Sequence, residues 1–150
     1  MAASRGNYWE DLVPGSSFVS RARTVRRSDL RAFAALSGDR NPLHLDQRYA
    51  STTRFGRIVA HGVLGLALAT GLLNRLGLTR RTLVALAGLE WRFLAPLYPG
   101  DRVRLVAAVR WKRKTSDPAV GLVKFALELR NQRGRPVQEG TLVELVRRRG

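Results

Sequence analysis

The chain has 150 residues, a length that suits one folded domain, residues 1–150, with its own hydrophobic core. It has no cysteine, which excludes disulfide bonds and thiolate metal sites and is consistent with a reducing cytoplasm. The net charge of +16, from 27 Lys and Arg residues against 11 Asp and Glu residues, favours anionic partners such as nucleic acid, an acidic carrier protein or a phosphate-bearing molecule.

The first predicted elements are a strand, a short helix and a long loop. Residues 18–24 are predicted as a strand, and Ser28 is predicted to cap a helix over residues 29–36 that Gly38 ends. Residues 38–57 keep no period and are punctuated by glycine and proline, so we predict a loop. Because loops of this length in small domains are usually functional, we expect function here.

A helix and a series of strands follow. Residues from Gly62 to about Leu76 are apolar around the whole helical circumference, which predicts a buried helix. The uncharged run 58–74 falls just short of a membrane span, and the start of the chain lacks the apolar segment of a secretory signal. Apolar and polar residues then alternate over 89–93, 102–112, 123–130 and 137–147, as in half-buried antiparallel strands. The predicted class is α+β, a curved antiparallel sheet wrapped around a central helix.

The predicted loop carries the sequence SGDRNPLH, which ends at His44. Extended back to Phe33, and with Ala50 six positions on, this stretch resembles the hydratase-2 signature of MaoC-like (R)-specific enoyl-CoA hydratases in every defined position. The segment FGRIVAHG, which ends at Gly62, is similar to this family's approach to its central helix. Together with the strand pattern, the resemblance covers nearly the whole chain and implies a single hot-dog domain.

The resemblance also implies an activity and its residues. The implied reaction is reversible addition of water to a trans-2-enoyl thioester, giving an (R)-3-hydroxyacyl thioester, with no cofactor. The family's two catalytic positions map onto Asp39 and His44, and its oxyanion donor maps onto the backbone N–H of Gly62. Thr70 stands where the family has a hydrogen-bonding serine on the central helix, and Asn41 is expected to support the loop.

The residue types of this pair suit that chemistry. Water is a poor nucleophile, so a carboxylate and an imidazole that share one water can remove one proton and supply another. On a helix, residues five positions apart point to divergent faces, but a loop bent at Asn41 and Pro42 can return both side chains to one point. The bend therefore predicts an acid/base pair made of Asp39 and His44.

Each of these residues also has a simpler interpretation. An aspartate that follows glycine is often an Asx-turn residue, and a lone histidine is often bonded to a backbone carbonyl in the core. We expect His61, directly before the buried helix, to bind backbone and order the loop rather than act in chemistry. A zinc site is not expected, because two histidines without cysteine leave only Asp39 and Asp46 beside His44.

Other functions are less well supported by the sequence. A hot-dog thioesterase commonly has an acidic residue on the central helix, but this chain has none between Asp46 and Glu90. A basic nucleic-acid-binding module would explain the charge, but a genome-wide bias towards basic residues would explain it equally. The chain lacks aromatic residues among its arginines, and nucleic-acid binding gives no role to the Asp39 and His44 loop. The sequence therefore does not favour nucleic acid as a partner.

The substrate carrier and the assembly follow from the charge and the family. Coenzyme A carries phosphates and acyl carrier proteins are typically acidic, so the cationic surface suits either. We favour an acyl-CoA, with a 3-hydroxyacyl-acyl carrier protein dehydratase as the alternative. Relatives with one hot-dog domain usually pair through their sheets, which predicts a homodimer with the thioester tunnel near the interface.

Overall fold

A computed structural model describes residues 6–150, so the first five residues of the predicted 1–150 domain lie outside the described residues. After a short 3-10 turn at Trp9–Asp11, the chain forms two short strands, four helices and four long strands. These elements are β1 Ser17–Val19, β2 Arg23–Thr24, α1 Arg27–Ser37, α2 Pro42–Leu45, α3 Gln47–Ser51, α4 Gly62–Leu76, β3 Leu83–Phe93, β4 Arg102–Lys114, β5 Val120–Arg130 and β6 Pro136–Arg147.

The strands form one antiparallel six-stranded sheet. Its order is β1-β4-β5-β6-β3, and β2 also pairs with β4. Strands β4, β5 and β6 bury every second residue, which gives the sheet one face directed at the core. The alternation in the sequence predicted this face, because strand side chains point to opposite sides in turn.

Helix α4 lies against the apolar face of the sheet, as predicted. Leu64, Leu68 and Leu72, which recur at helical spacing, are each at most 6% exposed. The opposite face of α4 is open in the single chain, and Val63 is 54% exposed. The apolar circumference of this helix is therefore covered by its own sheet on one side only. None of the helices within residues 6–150 is long and apolar enough to cross a membrane.

The structure corrects the sequence predictions in the first third of the chain. The predicted strand 18–24 is two strands, β1 and β2, because the chain breaks at residues 20–22 between its two pairings with β4. Helix α1 begins before Ser28, since the Asp29 carboxylate accepts the backbone N–H of Arg26 at 2.9 Å and fixes the first turn there. The predicted loop 38–57 contains the short helices α2 and α3.

Strand β3 forms an exposed apolar edge of the sheet. It pairs with β6 on one side only, and most of its residues are exposed. Five of its exposed residues are large and apolar, and these are Leu83, Val84, Leu86, Leu89 and Phe93. An edge strand of this length presents unpaired backbone groups and apolar side chains that a second sheet can cover.

One buried carboxyl group lies on the core face of the sheet. Glu144 on β6 is 5% exposed, and its Oε2 atom has no hydrogen-bond partner within residues 6–150. Burial raises the pKa of Glu144 above its ordinary value of 4.5, and a hydrogen bond from Thr79 offsets only part of this. The folded protein therefore favours the protonated form.

Replacing Glu144 by glutamine is expected to stabilise the protein at pH 8 by about 1–3 kcal/mol, because glutamine cannot ionise and burial disfavours the charged carboxylate by at least the cost of an unsatisfied buried polar group. A raised folded pKa means that Glu144 weakens the fold as the pH rises above 4.5, so the gain should vanish near pH 4. Denaturant unfolding at both pH values measures this, with Glu90→Gln on the exposed strand β3 as the control. A stability gain that is equal at pH 4 and pH 8 would show that the pKa of Glu144 is not raised in the fold.

Candidate active site

Asp39 is placed by the end of helix α1. The helix stops at Gly38, which has a left-handed backbone with φ of 79°, and the Ser37 hydroxyl accepts the Asp39 N–H at 3.1 Å. The Asp39 carboxylate accepts the Asn41 N–H at 3.2 Å, which is an Asx turn. The carboxylate is exposed, so the turn contact leaves it accessible.

Asn41 fixes the start of the next helix. Its side-chain oxygen accepts the N–H of Leu43 at 3.0 Å, and Pro42 occupies the first helical position, which needs no N–H. The Asn-Pro step thus caps α2 and sets the direction of this helix. Helix α2 carries His44, which is half-buried.

His44 is held by a backbone carbonyl. Its Nδ1 atom lies 2.7 Å from the Val59 oxygen. Since a carbonyl oxygen can only accept, Nδ1 carries the proton and Nε2 keeps its lone pair when the ring is neutral. His44 thus makes the backbone contact that is expected of a lone histidine in the core. This contact leaves Nε2 available as a base.

His61 is the N-cap residue of α4 and lies beneath the pair. It is 2% exposed, and its Nε2 atom lies 3.0 Å from the Asp39 backbone oxygen, which confirms the prediction that His61 binds backbone in the loop. Its ring stacks on that of His44 with 3.8 Å between centroids. Burial lowers the pKa of His61 below 6.5; the Asp39 carbonyl opposes this, and the nearby His44 reinforces it. His61 is therefore neutral near pH 7 and touches both members of the predicted pair.

The loop brings Asp39, His44 and His61 together. One nitrogen or carboxylate oxygen of each lies within 4.8 Å of the others. Histidine and aspartate are common metal ligands, but the two imidazole planes are only 28° apart, and in-plane lone pairs of stacked rings do not converge on one point. The arrangement suits a water shared by Asp39 and His44 better than a chelated ion.

A cavity of about 400 Å³ connects His44 with the beginning of α4. His44 and Gly62 line it, together with Phe93 and Leu94 from the end of β3. As the first residue of α4, Gly62 has an N–H that no helical carbonyl accepts. A Cβ atom at Gly62 would lie 2.9 Å from the Phe93 ring, so glycine lets this ring pack against the beginning of α4.

Gln138 ties the beginning of α4 to the sheet. It is 2% exposed, its Nε2 donates to the Gly62 carbonyl at 3.0 Å, and its Oε1 accepts from the Trp91 indole at 2.9 Å. Gln138 was not among the residues predicted from the sequence. The signal was present, because the period-two pattern of β6 puts this polar residue in phase with buried Leu142 and Val146.

Thr70 lies apart from this group. It stands eight residues beyond Gly62, about 12 Å along the helix, and its side chain is exposed. The Thr70 hydroxyl donates to the Ala67 carbonyl at 2.8 Å within the same helix. Thr70 does not line the cavity, whereas His44 and Gly62 do and Asn41 lies on the adjoining loop.

Residues 11–127 match the family model described as a MaoC like domain. The (R)-specific enoyl-CoA hydratase of Aeromonas caviae is 42% identical over 86 residues, which are 55% of this chain and 63% of that protein. The chain matches only part of the length of several curated relatives. For three of them, the matched segment is 31%, 46% and 63% of the relative's own length.

Solved structures show the same architecture. The MaoC-like dehydratase from Rhodospirillum rubrum superposes with a TM-score of 0.86 at 31% identity, over 97% of this chain and 99% of the other. A Mycobacterium tuberculosis protein described as having a double hotdog fold gives 0.83 at 21% identity, over 98% of this chain and 46% of the other. The hot-dog fold predicted from the sequence is thereby confirmed.

Proposed function

This chain belongs to the MaoC-like domain family, and we propose that it catalyses the reversible hydration of trans-2-enoyl thioesters to (R)-3-hydroxyacyl thioesters. The observation that carries the proposal is the approach of the Asp39 carboxylate and the His44 imidazole to within 4.8 Å. His44 also lines the same cavity as Gly62, the first residue of α4. The names of the hydratase and dehydratase relatives support the reaction class.

In the proposed hydration, a water is held between Asp39 and His44. The Nε2 lone pair of His44 accepts one proton of this water as its oxygen bonds to the β-carbon, while the Asp39 carboxylate accepts a hydrogen bond from the other O–H. The imidazolium then returns a proton to the α-carbon on the same side. One water is consumed, and both side chains end in their starting protonation states.

Negative charge develops on the thioester oxygen during this step. The N–H of Gly62, at the positive end of the α4 dipole, can donate to that oxygen. Gln138 donates to the Gly62 carbonyl, which belongs to the next peptide unit, and so holds the residue that carries this N–H. Gly62 is therefore proposed as the oxyanion donor and Gln138 as the residue that positions it.

The same residues would run the reaction backwards. In the elimination of water from a 3-hydroxyacyl thioester, the His44 imidazole takes the α-proton and gives it to the departing hydroxyl, while the Asp39 carboxylate accepts a hydrogen bond from that hydroxyl. A 3-hydroxyacyl-acyl carrier protein dehydratase therefore remains the alternative. A 3-hydroxyacyl-thioester dehydratase of Mycobacterium tuberculosis, 32% identical over 88 residues, favours keeping it.

The proposal is tested with purified protein and crotonyl-CoA. Loss of the enoyl absorbance, with chromatographic identification of (R)-3-hydroxybutyryl-CoA, is the expected result. Turnover of crotonyl-acyl carrier protein but not of crotonyl-CoA would select the dehydratase alternative. If neither thioester is consumed or formed, the proposed function is wrong.

We further propose that two copies of the chain pair through β3. The predicted tunnel is incomplete in one chain, since Phe93 and Leu94 in the cavity wall are 55% and 47% exposed. The apolar edge strand β3 and the open face of α4 adjoin this wall. A second copy would cover both surfaces and would place Thr70 beneath the partner.

Leu89→Glu is expected to convert this dimer into a monomer. Leu89 is 43% exposed on β3, and a carboxylate there would have to be buried without a partner if the sheets paired. Light scattering coupled to gel filtration gives the mass, and Val13→Glu, at another exposed apolar residue outside the sheet, is the control. A wild-type protein that is monomeric at micromolar concentration would contradict the pairing.

A further inference from the structure

A second cavity, of about 430 Å³, lies between helix α1 and helix α2. Three arginines line it: Arg27 and Arg31 from α1, and Arg40 from the loop. The floor is apolar and includes the buried residues Leu30 and Ile58. Its lining contains no carboxylate. Three cations thus surround a space closed on one side by hydrocarbon.

The three guanidinium groups are not neutralised by the fold. Within residues 6–150, no ion pair involves Arg27, Arg31 or Arg40. Arg27 donates only to the neutral Gln47 side chain at 3.2 Å. Asp29, the acidic residue in the first turn of α1, is already paired with Arg23 at 2.8 Å.

The placement of the helical arginines is unfavourable for helix α1 by itself. Arg27 and Arg31 are four residues apart on α1, a spacing at which like charges repel. Arg27 is also the first residue of the helix, where the positive end of the dipole disfavours a cation. A bound anion would remove both effects, and guanidinium groups bind phosphate and carboxylate oxygens in pairs.

We propose that this cavity is a subsite for a negatively charged group of the thioester substrate. His44 lines this cavity as well as the one that contains Gly62, so the two cavities adjoin at a member of the proposed reacting pair. Two parts of a thioester can bring such a group: a phosphate of the carrier arm, or a carboxylate on the acyl chain. This inference rests on the proposed hydratase function, which determines what occupies the catalytic cavity.

The first experiment measures anion binding without turnover. Inorganic pyrophosphate is titrated by calorimetry at low salt into the wild type, into Arg27→Gln/Arg31→Gln, and into Arg133→Gln/Arg135→Gln. The last variant removes two exposed charges from the β5–β6 turn, outside this cavity. We expect the Kd to rise about 10-fold or more in the first variant only, the equivalent of one charge-assisted contact. Unchanged affinity in the α1 variant would overturn the anion site.

The second experiment identifies the source of the anion. The kcat/KM of each protein is measured on crotonyl-CoA, on crotonyl-pantetheine, which has no phosphate, and on glutaconyl-pantetheine, whose acyl chain ends in a carboxylate. A loss in the α1 variant that is at least 10-fold larger on crotonyl-CoA than on crotonyl-pantetheine assigns a phosphate. A correspondingly larger loss on glutaconyl-pantetheine assigns a carboxylate. Equal losses on all three thioesters would overturn the substrate subsite.

The hydratase function and the anion site can be disproved independently of each other. If the wild type consumes none of the three thioesters, the hydratase function is wrong, and the pyrophosphate titration still decides whether the cavity binds an oxyanion. Loss of folding is checked by thermal unfolding. Because the α1 variant removes the repulsion between Arg27 and Arg31, its unfolding temperature should be no lower than that of the wild type.

Discussion

Asp39→Asn and His44→Ala are each expected to lower the kcat for crotonyl-CoA hydration by about 100-fold or more, the usual size of a general acid/base contribution. The first variant keeps a side-chain oxygen that can accept the Asn41 N–H, so the Asx turn survives and only the charge is lost. The second removes the Nε2 lone pair that the Val59 contact leaves available. Initial rates from the enoyl absorbance measure both effects.

Asp46→Asn is the matched control for this pair. Asp46 lies on the same loop and accepts the N–H groups of Arg48 and Tyr49 as the cap of α3, which asparagine can also do. We expect its rate to stay near that of the wild type. Rates for Asp39→Asn and His44→Ala that also equal the wild-type rate would remove these residues from the mechanism.

His61→Ala is expected to lower kcat by about 10- to 100-fold, because small displacements of catalytic groups have effects of that size. The substitution removes the ring under His44 and the bond to the Asp39 carbonyl. His61→Gln should recover part of the loss, since its amide N–H can reach the same carbonyl but cannot restore the stack. KM should change little in either variant, because His61 does not line the catalytic cavity.

The pH dependence of stability distinguishes a neutral His61 from a charged one. The pKa of His61 is lowered in the fold, so the unfolded chain binds the proton more readily and His61 weakens the fold as the pH falls below 6.5. Between pH 7.5 and 5.5, His61→Gln should therefore lose less unfolding free energy than the wild type. A larger loss in the variant, or no recovery of kcat over His61→Ala, would contradict the positioning role.

The sequence predicted best those elements whose residues follow one strong pattern. The long apolar run made α4 predictable from Gly62 to Leu76, and the alternation of β4, β5 and β6 made their paired faces predictable. The start of α1 was predicted wrongly because Ser28 is a residue type that often caps helices. In the structure, the Asp29 carboxylate accepts the Arg26 N–H instead, and the helix therefore begins before Ser28. Helices α2 and α3 have four and five residues, which is too short for a period to be recognised.

The candidate site was predictable where the chain brings its own neighbours together. Asp39 and His44 are five residues apart, so a bend at Asn41 was enough to predict their approach. The contact of His61 with the Asp39 carbonyl spans 22 residues and that of Gln138 with Gly62 spans 76, and local patterns do not specify such pairs. The convergence of Arg27, Arg31 and Arg40 likewise depends on how α1 packs beside α2.

The hydrogen bonds of Gln138 connect the edge strand β3 to the beginning of helix α4. Trp91 on β3 donates to Gln138, and Gln138 donates to the carbonyl of Gly62. If two subunits pair along β3, their separation would loosen the strand that supports these two hydrogen bonds. Turnover per subunit would then fall on dilution below the dissociation constant of the pair, and enzyme concentration itself would act as a control on activity.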